Sequence, residues 1–291
     1  MMATVVTRKK GNNAYYYLNH NAGGRQRETY LGKNIPKNIE HLKKQLVLDF
    51  YRDDWLPKLE AIHEAFQKNL KNMPKSVLQE ELEEFSIRFT YNTQRIEGST
   101  LTKNDVFNLL KFGLTPPRKP QYDTIEATEH KKIFLEMLVE KRPLSLSLVL
   151  HWHKRMFEQT KPQLAGRIRT FNVGITNSES RFPNWTVVQK SLVGFFEWYN
   201  ANKKKLNPAE LAALAHLKFV TIHPFGDGNG RVSRLLMNYV LHHFGYPMFD
   251  IKYEGRIFYY RALEKSNLQD NEFPFLDWFM KRYIGFYKKL I

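Results

Sequence analysis

The order of apolar and polar positions divides the chain into a short strand-like segment and a long helical one. Residues 3–32 alternate in β-branched and aromatic runs broken at Gly11 and at Gly23-Gly24, which predicts a small three-stranded meander. From Pro36 onward the apolar residues recur at helical spacing, which predicts a mainly α protein. The predicted helices cover residues 36–49, 52–72, 76–97, 102–112, 121–140, 145–159, 186–202, 208–222, 230–244, 256–267 and 273–289.

One stretch between two helices departs from this pattern. Residues 168–183 alternate and contain Gly174, Asn177 and Pro183, which predicts a short β-hairpin in an otherwise helical region. A lone hairpin of this kind is a candidate loop over a functional site. We therefore expect a β appendage at residues 1–35, followed by a helical region at residues 36–291.

Charge and cysteine content narrow the classes of function. The chain has 45 basic and 29 acidic residues, a net charge of +16, and residues 1–45 alone hold nine Lys or Arg against two Glu. Such an excess favours an anionic partner, but it does not choose among nucleic acid, nucleotide phosphate, acidic protein and membrane surface. The chain contains no cysteine, which excludes disulfides, thiolate nucleophiles and zinc-thiolate sites. Neither a leader nor a long apolar run is evident, so we expect a cytoplasmic protein without membrane contact.

The candidate chemistry concentrates between the predicted helices 208–222 and 230–244. Gly226, Gly228 and Gly230 allow backbone N–H groups to converge in front of a helix N-terminus, an arrangement suited to a diphosphate. Arg231 and Arg234 follow in the first turn of that helix, and with Asn238 and His242 they form a polar stripe. The stripe alone would suit a solvent face. However, a cation at a helix N-terminus is unfavourable by about 0.3 to 1 kcal/mol, so an anion is expected nearby.

Other glycine motifs do not fit this segment. A helix precedes it, whereas a P-loop and a dinucleotide fingerprint both need a strand. An EF-hand beginning at Asp227 fails because Arg231 and Val232 stand where it needs an acidic or amide residue and a glycine. What is left is His223, which could accept a proton from a nucleophile attacking phosphorus, beside a carboxylate able to bind a metal ion.

Residues 223–234, HPFGDGNGRVSR, match the HPFx(D/E)GNGRxxR signature of Fic domain proteins at every fixed position. The chain resembles that family over about residues 85–283. The resemblance implies a Fic-type helical bundle, with its core at about residues 120–285. It also implies transfer of AMP from ATP to a Ser, Thr or Tyr hydroxyl of a protein, with Mg²⁺ or Mn²⁺ as cofactor.

The same resemblance assigns roles to individual residues. His223 would be the general base and Asp227 the metal ligand. The α-phosphate would lie against Asn229 and the backbone of Gly228 and Gly230, and the β- and γ-phosphates against Arg231 and Arg234. The nucleotide-base pocket would contain Tyr259, Tyr260 and Asn267, for which aromatic packing is the competing explanation. A target-docking flap that pairs with the target as a strand would contain Asn177, Phe182 and Pro183.

A second motif lies in the predicted helix 76–97. Residues 93–98, TQRIEG, resemble the family's inhibitory (S/T)xxxE(G/N) sequence and assign that role to Thr93, Glu97 and Gly98. Glu97 would lie at the negative end of its own helix, just as Arg234 lies at the positive end of another. An ion pair would relieve both residues, and we expect it to restrain ATP binding. In some family members this glutamate supports removal of AMP. A solvated helix-end glutamate is the competing explanation.

Two other functions stay open at this stage. The basic, tyrosine-rich residues 1–45 would also suit nucleic-acid binding, alone or as a recruiting appendage. Other Fic-like enzymes transfer UMP, phosphocholine or phosphate, and the base specificity is not evident from the sequence. The expected partners are ATP and a protein with a target hydroxyl, and a homodimer is compatible with the sequence. For His151, His153, His242 and His243 we favour surface or packing roles over metal binding.

Overall fold

The computed structural model describes residues 3–174 and 178–291. The chain forms two compact units, the first extending to Ala61 and the second from Ile62 to Leu290. The predicted boundary at residue 35 marks the change from strand to helix, whereas the first unit continues into the following helix.

The first unit begins with a three-stranded antiparallel sheet in the order β1 (Thr4–Lys10), β2 (Asn13–Ala22) and β3 (Arg25–Gly32). Gly11, Gly23 and Gly24 make its two tight turns with positive φ. This sheet is the basic meander expected from the alternation at residues 3–32.

One face of the sheet packs on helix α1 (Ile39–Asn72). Leu18 and His20 are buried, and the His20 ring lies edge-on to Phe50 with 4.8 Å between centroids. The guanidinium of Arg25 lies over the Phe50 ring, 4.7 Å from its centroid. The unit extends to Ala61 because the sheet alone cannot bury its apolar side chains.

Helix α1 is continuous, whereas the sequence predicted separate helices at 36–49 and 52–72. The helix continues across the expected break at residues 50–51, where an ion pair between Asp49 and Arg52 at 3.1 Å joins successive turns. A second ion pair, between Asp54 and Lys58 at 2.9 Å, follows in the next turn. Pro57 lies inside it. No glycine or proline stands at residues 50–51, so nothing in the chain ends the helix there.

The second unit contains nine further α-helices in its described residues. The apolar helix α7 packs against α8 at the centre of the unit, α2 packs against α3, α4 and α8, and α10 packs against α7 and α9. No helix in the described part of the chain is both long and apolar enough to cross a bilayer. The helices are α2 (Lys75–Ile96), α3 (Lys103–Phe112), α4 (Gln121–Leu138), α5 (Leu146–Phe157), α6 (Trp185–Asn202), α7 (Pro208–Ile222), α8 (Asn229–His243), α9 (Arg256–Leu268) and α10 (Phe273–Phe286).

The expected β-hairpin is not seen in the described parts of the flap, because residues 168–174 and 178–183 form no strand and are held by side chains instead. Arg169 is buried and donates to the carbonyls of Phe171 at 2.9 Å and Pro183 at 2.7 Å, and so joins the two arms. The Asn267 amide on α9 holds the second arm through the main-chain N–H and carbonyl of Arg181, at 2.7 and 2.9 Å. The expected flap residue Asn177 lies outside the described residues.

Candidate active site

The loop between α7 and α8 is fixed by its own residues. His223 ends α7 in the left-handed conformation, with φ of 52°, which turns the chain sharply out of the helix. The buried Asn229 side chain accepts from Phe225 N–H at 2.8 Å and donates to the Phe225 carbonyl at 2.9 Å. A Cβ on Gly228 would lie 2.3 Å from the Phe157 ring, so only glycine fits there. The backbone is therefore preorganised before any ligand binds.

The His223 ring is held in one orientation by the backbone of α7. Its Nδ1 lies 3.1 Å from the Val220 carbonyl, which selects the tautomer protonated at Nδ1 and leaves Nε2 able to accept a proton. Its ring packs against Phe182 of the expected flap, with 4.1 Å between centroids. Burial lowers the pKa of His223 below the usual value of histidine, so the imidazole is neutral at physiological pH.

Arg234 is buried, and its guanidinium group binds residues at the C-terminal end of helix α2. Its Nη2 donates to Glu97 Oε1 at 2.7 Å, and its Nε donates to Thr93 Oγ1 at 2.7 Å. A third contact runs from Nη1 to the Tyr259 hydroxyl at 3.3 Å. Burial would lower the pKa of Arg234, but the Glu97 carboxylate outweighs burial and raises it. The ion pair expected from the two helix ends is therefore present in the structure.

The Glu97 carboxylate also faces the first turn of α8. A Cβ on Gly230 would lie 2.2 Å from Glu97 Oε1, so the carboxylate lies against the backbone where an anion was expected. A negative group is stabilised at a helix N-terminus, where backbone N–H groups point outward. Within this site, Glu97 is thus the anion that offsets Arg234 of α8.

Asp227 and Arg231 belong to a second charged cluster. Asp227 lies 3.2 Å from Arg231 Nη2 and 2.7 Å from Lys161 Nζ, through different carboxylate oxygens. Glu126 of α4 contacts Lys161 at 2.9 Å and also contacts Arg231. Burial would raise the pKa of Asp227, but the positive charges of Arg231 and Lys161 hold it below the usual aspartate value.

The residues assigned to the base pocket lie at the C-terminal end of α2 and beside the flap. Tyr259 is buried and contacts His216 Nε2 at 3.0 Å as well as Arg234. The Tyr260 hydroxyl donates to the Ile96 carbonyl at 2.7 Å, one residue before Glu97. Asn267 is engaged with the flap backbone, as described above. Their role toward a nucleotide base stays a prediction.

Four residues of this site had no signal in the sequence motifs. Glu126 and Lys161 complete the Asp227 cluster, and Arg169 donates to the His223 carbonyl at 2.7 Å. His153, for which we expected a surface or packing role, is buried and contacts the Asp227 carbonyl at 3.0 Å through Nε2. Burial lowers its pKa to about 4, so it is neutral. None of the four belongs to either sequence motif.

The stripe on α8 is not a solvent face. Arg231, Arg234 and Asn238 are all buried, and Asn238 pairs its side-chain amide with the Phe249 backbone at 2.7 and 3.0 Å. His242 contacts the Leu138 carbonyl at 2.9 Å. The anions that the electrostatic argument led us to expect are Glu97 for Arg234, and Glu126 with Asp227 for Arg231.

Asp227 is the candidate metal ligand that the residues present can support. The described residues contain no group of three or more His, Cys, Asp or Glu side chains arranged around a metal ion. A single partly exposed carboxylate beside a phosphate site nevertheless suits Mg²⁺, which is commonly held by one or two carboxylates together with substrate phosphates. The donor set therefore fits a metal ion that binds with a nucleotide.

The family model and two of the curated proteins that match this chain carry the name Fic. Residues 143–241 match the family model of the Fic/DOC family. The chain is 30% identical over 240 residues to protein adenylyltransferase fic-1 of Caenorhabditis briggsae, covering 78% of this chain and 47% of that protein. It is 30% identical over 194 residues to protein adenylyltransferase Fic of Nematostella vectensis, covering 65% and 45% respectively. The chain thus spans about half the length of the curated relatives it matches.

Solved structures with the same fold include a Fic domain containing signaling protein from Bacteroides thetaiotaomicron, with a TM-score of 0.71 and 27% identity over 80% of this chain and 95% of that one. Another is Fic-1 of Caenorhabditis elegans, with a TM-score of 0.70 and 27% identity over 88% of this chain and 78% of that one. The helical architecture around the candidate site is therefore shared with these proteins.

Proposed function

The chain belongs to the Fic/DOC family, and on that premise we propose that it transfers AMP from ATP to a Ser, Thr or Tyr hydroxyl of a protein. The observation that carries this proposal is the convergence at one helix N-terminus of a neutral histidine, a carboxylate and two arginines. Relatives named protein adenylyltransferase support the choice of AMP.

The chemistry follows from the orientation of each group. His223 Nε2 takes the proton of the target hydroxyl as the hydroxyl oxygen attacks the α-phosphorus. The bond from the α-phosphorus to the bridging oxygen breaks, AMP stays on the target, and pyrophosphate leaves. A Mg²⁺ or Mn²⁺ ion held by Asp227 would neutralise charge on the phosphates.

The phosphates would lie at the N-terminus of α8. The backbone N–H groups of Gly228 and Gly230 and the charges of Arg231 and Arg234 stabilise negative charge there without rearranging in the reaction. Asn229 acts through the loop, because its amide holds the Phe225 backbone.

Glu97 restrains this reaction in our proposal. It holds Arg234 at 2.7 Å and occupies the space beside Gly230, so the γ-phosphate and Glu97 compete for one cation. Thr93 adds a second acceptor on the same helix, and Gly98 lets the chain turn away with a φ of 96°. An ion-paired Glu97 can also orient a water molecule, which would allow the same site to remove AMP.

The target would dock beside Phe182 and Pro183. The Phe182 ring packs against the imidazole ring of His223, and the Pro183 carbonyl accepts a hydrogen bond from Arg169. A target hydroxyl delivered along this arm would therefore arrive next to His223. Asn177 belongs to the same proposal as part of the flap.

Labelled ATP separates this function from the alternatives. ATP labelled at the α-phosphate should leave label on protein and ATP labelled at the γ-phosphate should not, with His223→Ala as the inactive control. Retention of the γ label would indicate phosphate transfer instead. Competition by unlabelled UTP stronger than by ATP would indicate UMP transfer.

A second candidate function rests on the solvent face of the sheet, which we define as the tyrosine face (Arg8, Lys10, Tyr15, Tyr17 and Tyr30). Arg8 pairs with Tyr15 and Tyr17 with Tyr30 in the strand register, on the side opposite Leu18. Tyr30 is 54% exposed, and its ring centroid lies 5.2 Å from that of Tyr17. Aromatic rings beside cations are the usual platform for single-stranded nucleic acid, so we propose this partner for the tyrosine face.

Binding of the full chain to fluorescent single-stranded RNA or DNA tests this second proposal. Affinity should fall steeply between about 50 and 200 mM salt, because binding releases counterions from phosphates. Arg8→Gln with Lys10→Gln should weaken it, whereas the exposed Lys37→Gln should change it little. No binding at low salt would contradict the proposal.

A cytoplasmic location and a homodimer also stay proposals. Cell fractionation tests the first, and light scattering tests the second.

A further inference from the structure

Asp227 and three other charged side chains form a closed ring. Asp227 accepts from Lys161 through Oδ2 at 2.7 Å and from Arg231 through Oδ1 at 3.2 Å. Glu126 accepts from Lys161 through Oε1 at 2.9 Å and from Arg231 through its other oxygen. Each carboxylate therefore has one oxygen on each cation. We call this arrangement the four-charge ring (Glu126, Lys161, Arg231 and Asp227).

The ring has a fixed inner half and an open outer half. The side chains of Glu126 and Arg231 are only 5% and 4% exposed, whereas those of Lys161 and Asp227 are 28% and 37% exposed. Glu126 is held further by Thr160 Oγ1 at 2.9 Å. A buried pair is costly to break, but a partly exposed one contributes little to stability, so the ring opens most easily between Lys161 and Asp227.

Lys161 occupies the oxygen of Asp227 that a metal ion would need. An incoming ion would meet the Lys161 ammonium group at that oxygen, and Arg231 and the Gly228 N–H already hold the other one. Lys161 also has a second partner, because its contact to Glu126 does not involve Asp227. It can therefore release Asp227 and stay near the site on Glu126.

We propose that Lys161 is an internal counter-cation that holds Asp227 until a divalent cation replaces it, with Glu126 retaining the displaced ammonium group. The proposal rests on the assignment of Asp227 as metal ligand in the proposed function. Its consequence is that the nucleotide-free protein binds divalent cations weakly, because the incoming ion must break the Lys161 pair and lie close to two existing positive charges. Nucleotide phosphates add the negative charge that offsets this cost, so metal and nucleotide bind together.

Mn²⁺ binding to the full-length, nucleotide-free protein tests the proposal without turnover. Electron paramagnetic resonance of free Mn²⁺ gives the dissociation constant directly. Lys161→Met should bind Mn²⁺ about tenfold more tightly than the wild type, since a positive charge within a few ångströms of the site is removed. Lys161→Arg keeps the charge and should stay close to the wild type. Lys132→Met serves as the matched control, because the exposed Lys132 also pairs with a buried carboxylate of α4, that of Glu129, at 2.6 Å.

The outcomes separate this proposal from the proposed function. Unchanged Mn²⁺ affinity in Lys161→Met overturns the proposal, as does equal tightening in Lys132→Met. Asp227→Asn should abolish the tight binding of Lys161→Met. If it does not, the ion binds elsewhere and both this proposal and the metal assignment fail, while AMP transfer is still judged by labelling. Should Lys161→Met fold poorly by circular dichroism, Lys161→Gln removes the same charge and must give the same tightening.

Discussion

Glu97 and Arg234 are joined at 2.7 Å between Oε1 and Nη2, with Glu97 at the C-terminal cap of α2 and Arg234 in the second turn of α8. Each is unfavourably placed within its own helix, and each offsets the other. Because Arg234 is fully buried, this contact determines whether its charge is available to a phosphate.

Removing the Glu97 carboxylate should activate the enzyme. Glu97→Gly frees Arg234, so we expect labelling of the protein or its target from α-labelled ATP to rise by roughly tenfold or more, the scale of a displaced charged hydrogen bond. Glu81→Gln, at an exposed position of the same helix, is the matched control and should label like the wild type. Unchanged labelling in Glu97→Gly would show that Glu97 does not restrain the reaction.

The Glu97–Arg234 ion pair should stabilise the folded protein, and its contribution should be largest when no nucleotide is bound. Glu97→Gln leaves the buried Arg234 charge poorly compensated, and we expect a loss of about 1 to 3 kcal/mol in the free energy of unfolding. ATP with Mg²⁺ supplies the missing negative charge, so saturating nucleotide should raise the melting temperature of Glu97→Gln more than that of the wild type. An equal nucleotide effect on both proteins would argue against competition for Arg234.

The pH profile of transfer should report the lowered pKa of His223. Only the neutral imidazole accepts a proton, so activity should rise with pH through a midpoint that lies below the usual histidine pKa of about 6.5. Burial is the main cause of the shift, and the Arg169 charge adds to it. Arg169→Met should therefore move the rising limb to higher pH, whereas Arg169→Lys should move it less. If the midpoint of the pH profile is unchanged in Arg169→Met, Arg169 has only a structural role.

Buried neutral histidines should make the fold sensitive to acid. Burial lowers the pKa to about 3 for His130 and about 4 for His153, and well below the usual value for His216. The unfolded chain binds these protons first, so the stability they confer is complete above about pH 6.5 and is lost as pH falls.

Asp250 acts in the opposite direction, because burial raises its pKa to about 6 and favours its protonated form in the folded state. It offsets roughly one histidine between about pH 4 and 6. Three histidines outweigh one carboxyl group, so urea unfolding midpoints should fall on acidification from pH 6.5 to 5. His153→Gln should reduce that dependence, and an unchanged dependence would contradict the neutral state of His153.

The parts of the site that the sequence predicts are those whose residues are close together along the chain. The loop from His223 to Arg234 is fixed by local turns and a helix start, so its shape follows from glycines and spacing. The Glu97 pair was predictable as well, because both helix ends carried a charge of the wrong sign.

The residues that sequence analysis missed are brought to the site only by packing between distant helices. Glu126 lies on α4 and Lys161 follows α5, and neither belongs to a motif or departs from a typical surface composition. The length of α1 was missed for a related reason, since its continuation past Phe50 depends on the absence of a helix breaker rather than on a positive signal. Strand alternation, by contrast, was sufficient to predict the meander.

Intact-protein mass spectrometry of Glu97→Gly incubated with ATP and Mg²⁺, followed by peptide mapping, tests the central claim most directly. The account predicts the added mass of one AMP group on a Ser, Thr or Tyr side chain, of the chain itself or of a co-purified target, and no such addition when His223→Ala is combined with Glu97→Gly. An adduct that persists without His223, or an added phosphate in place of AMP, would contradict it.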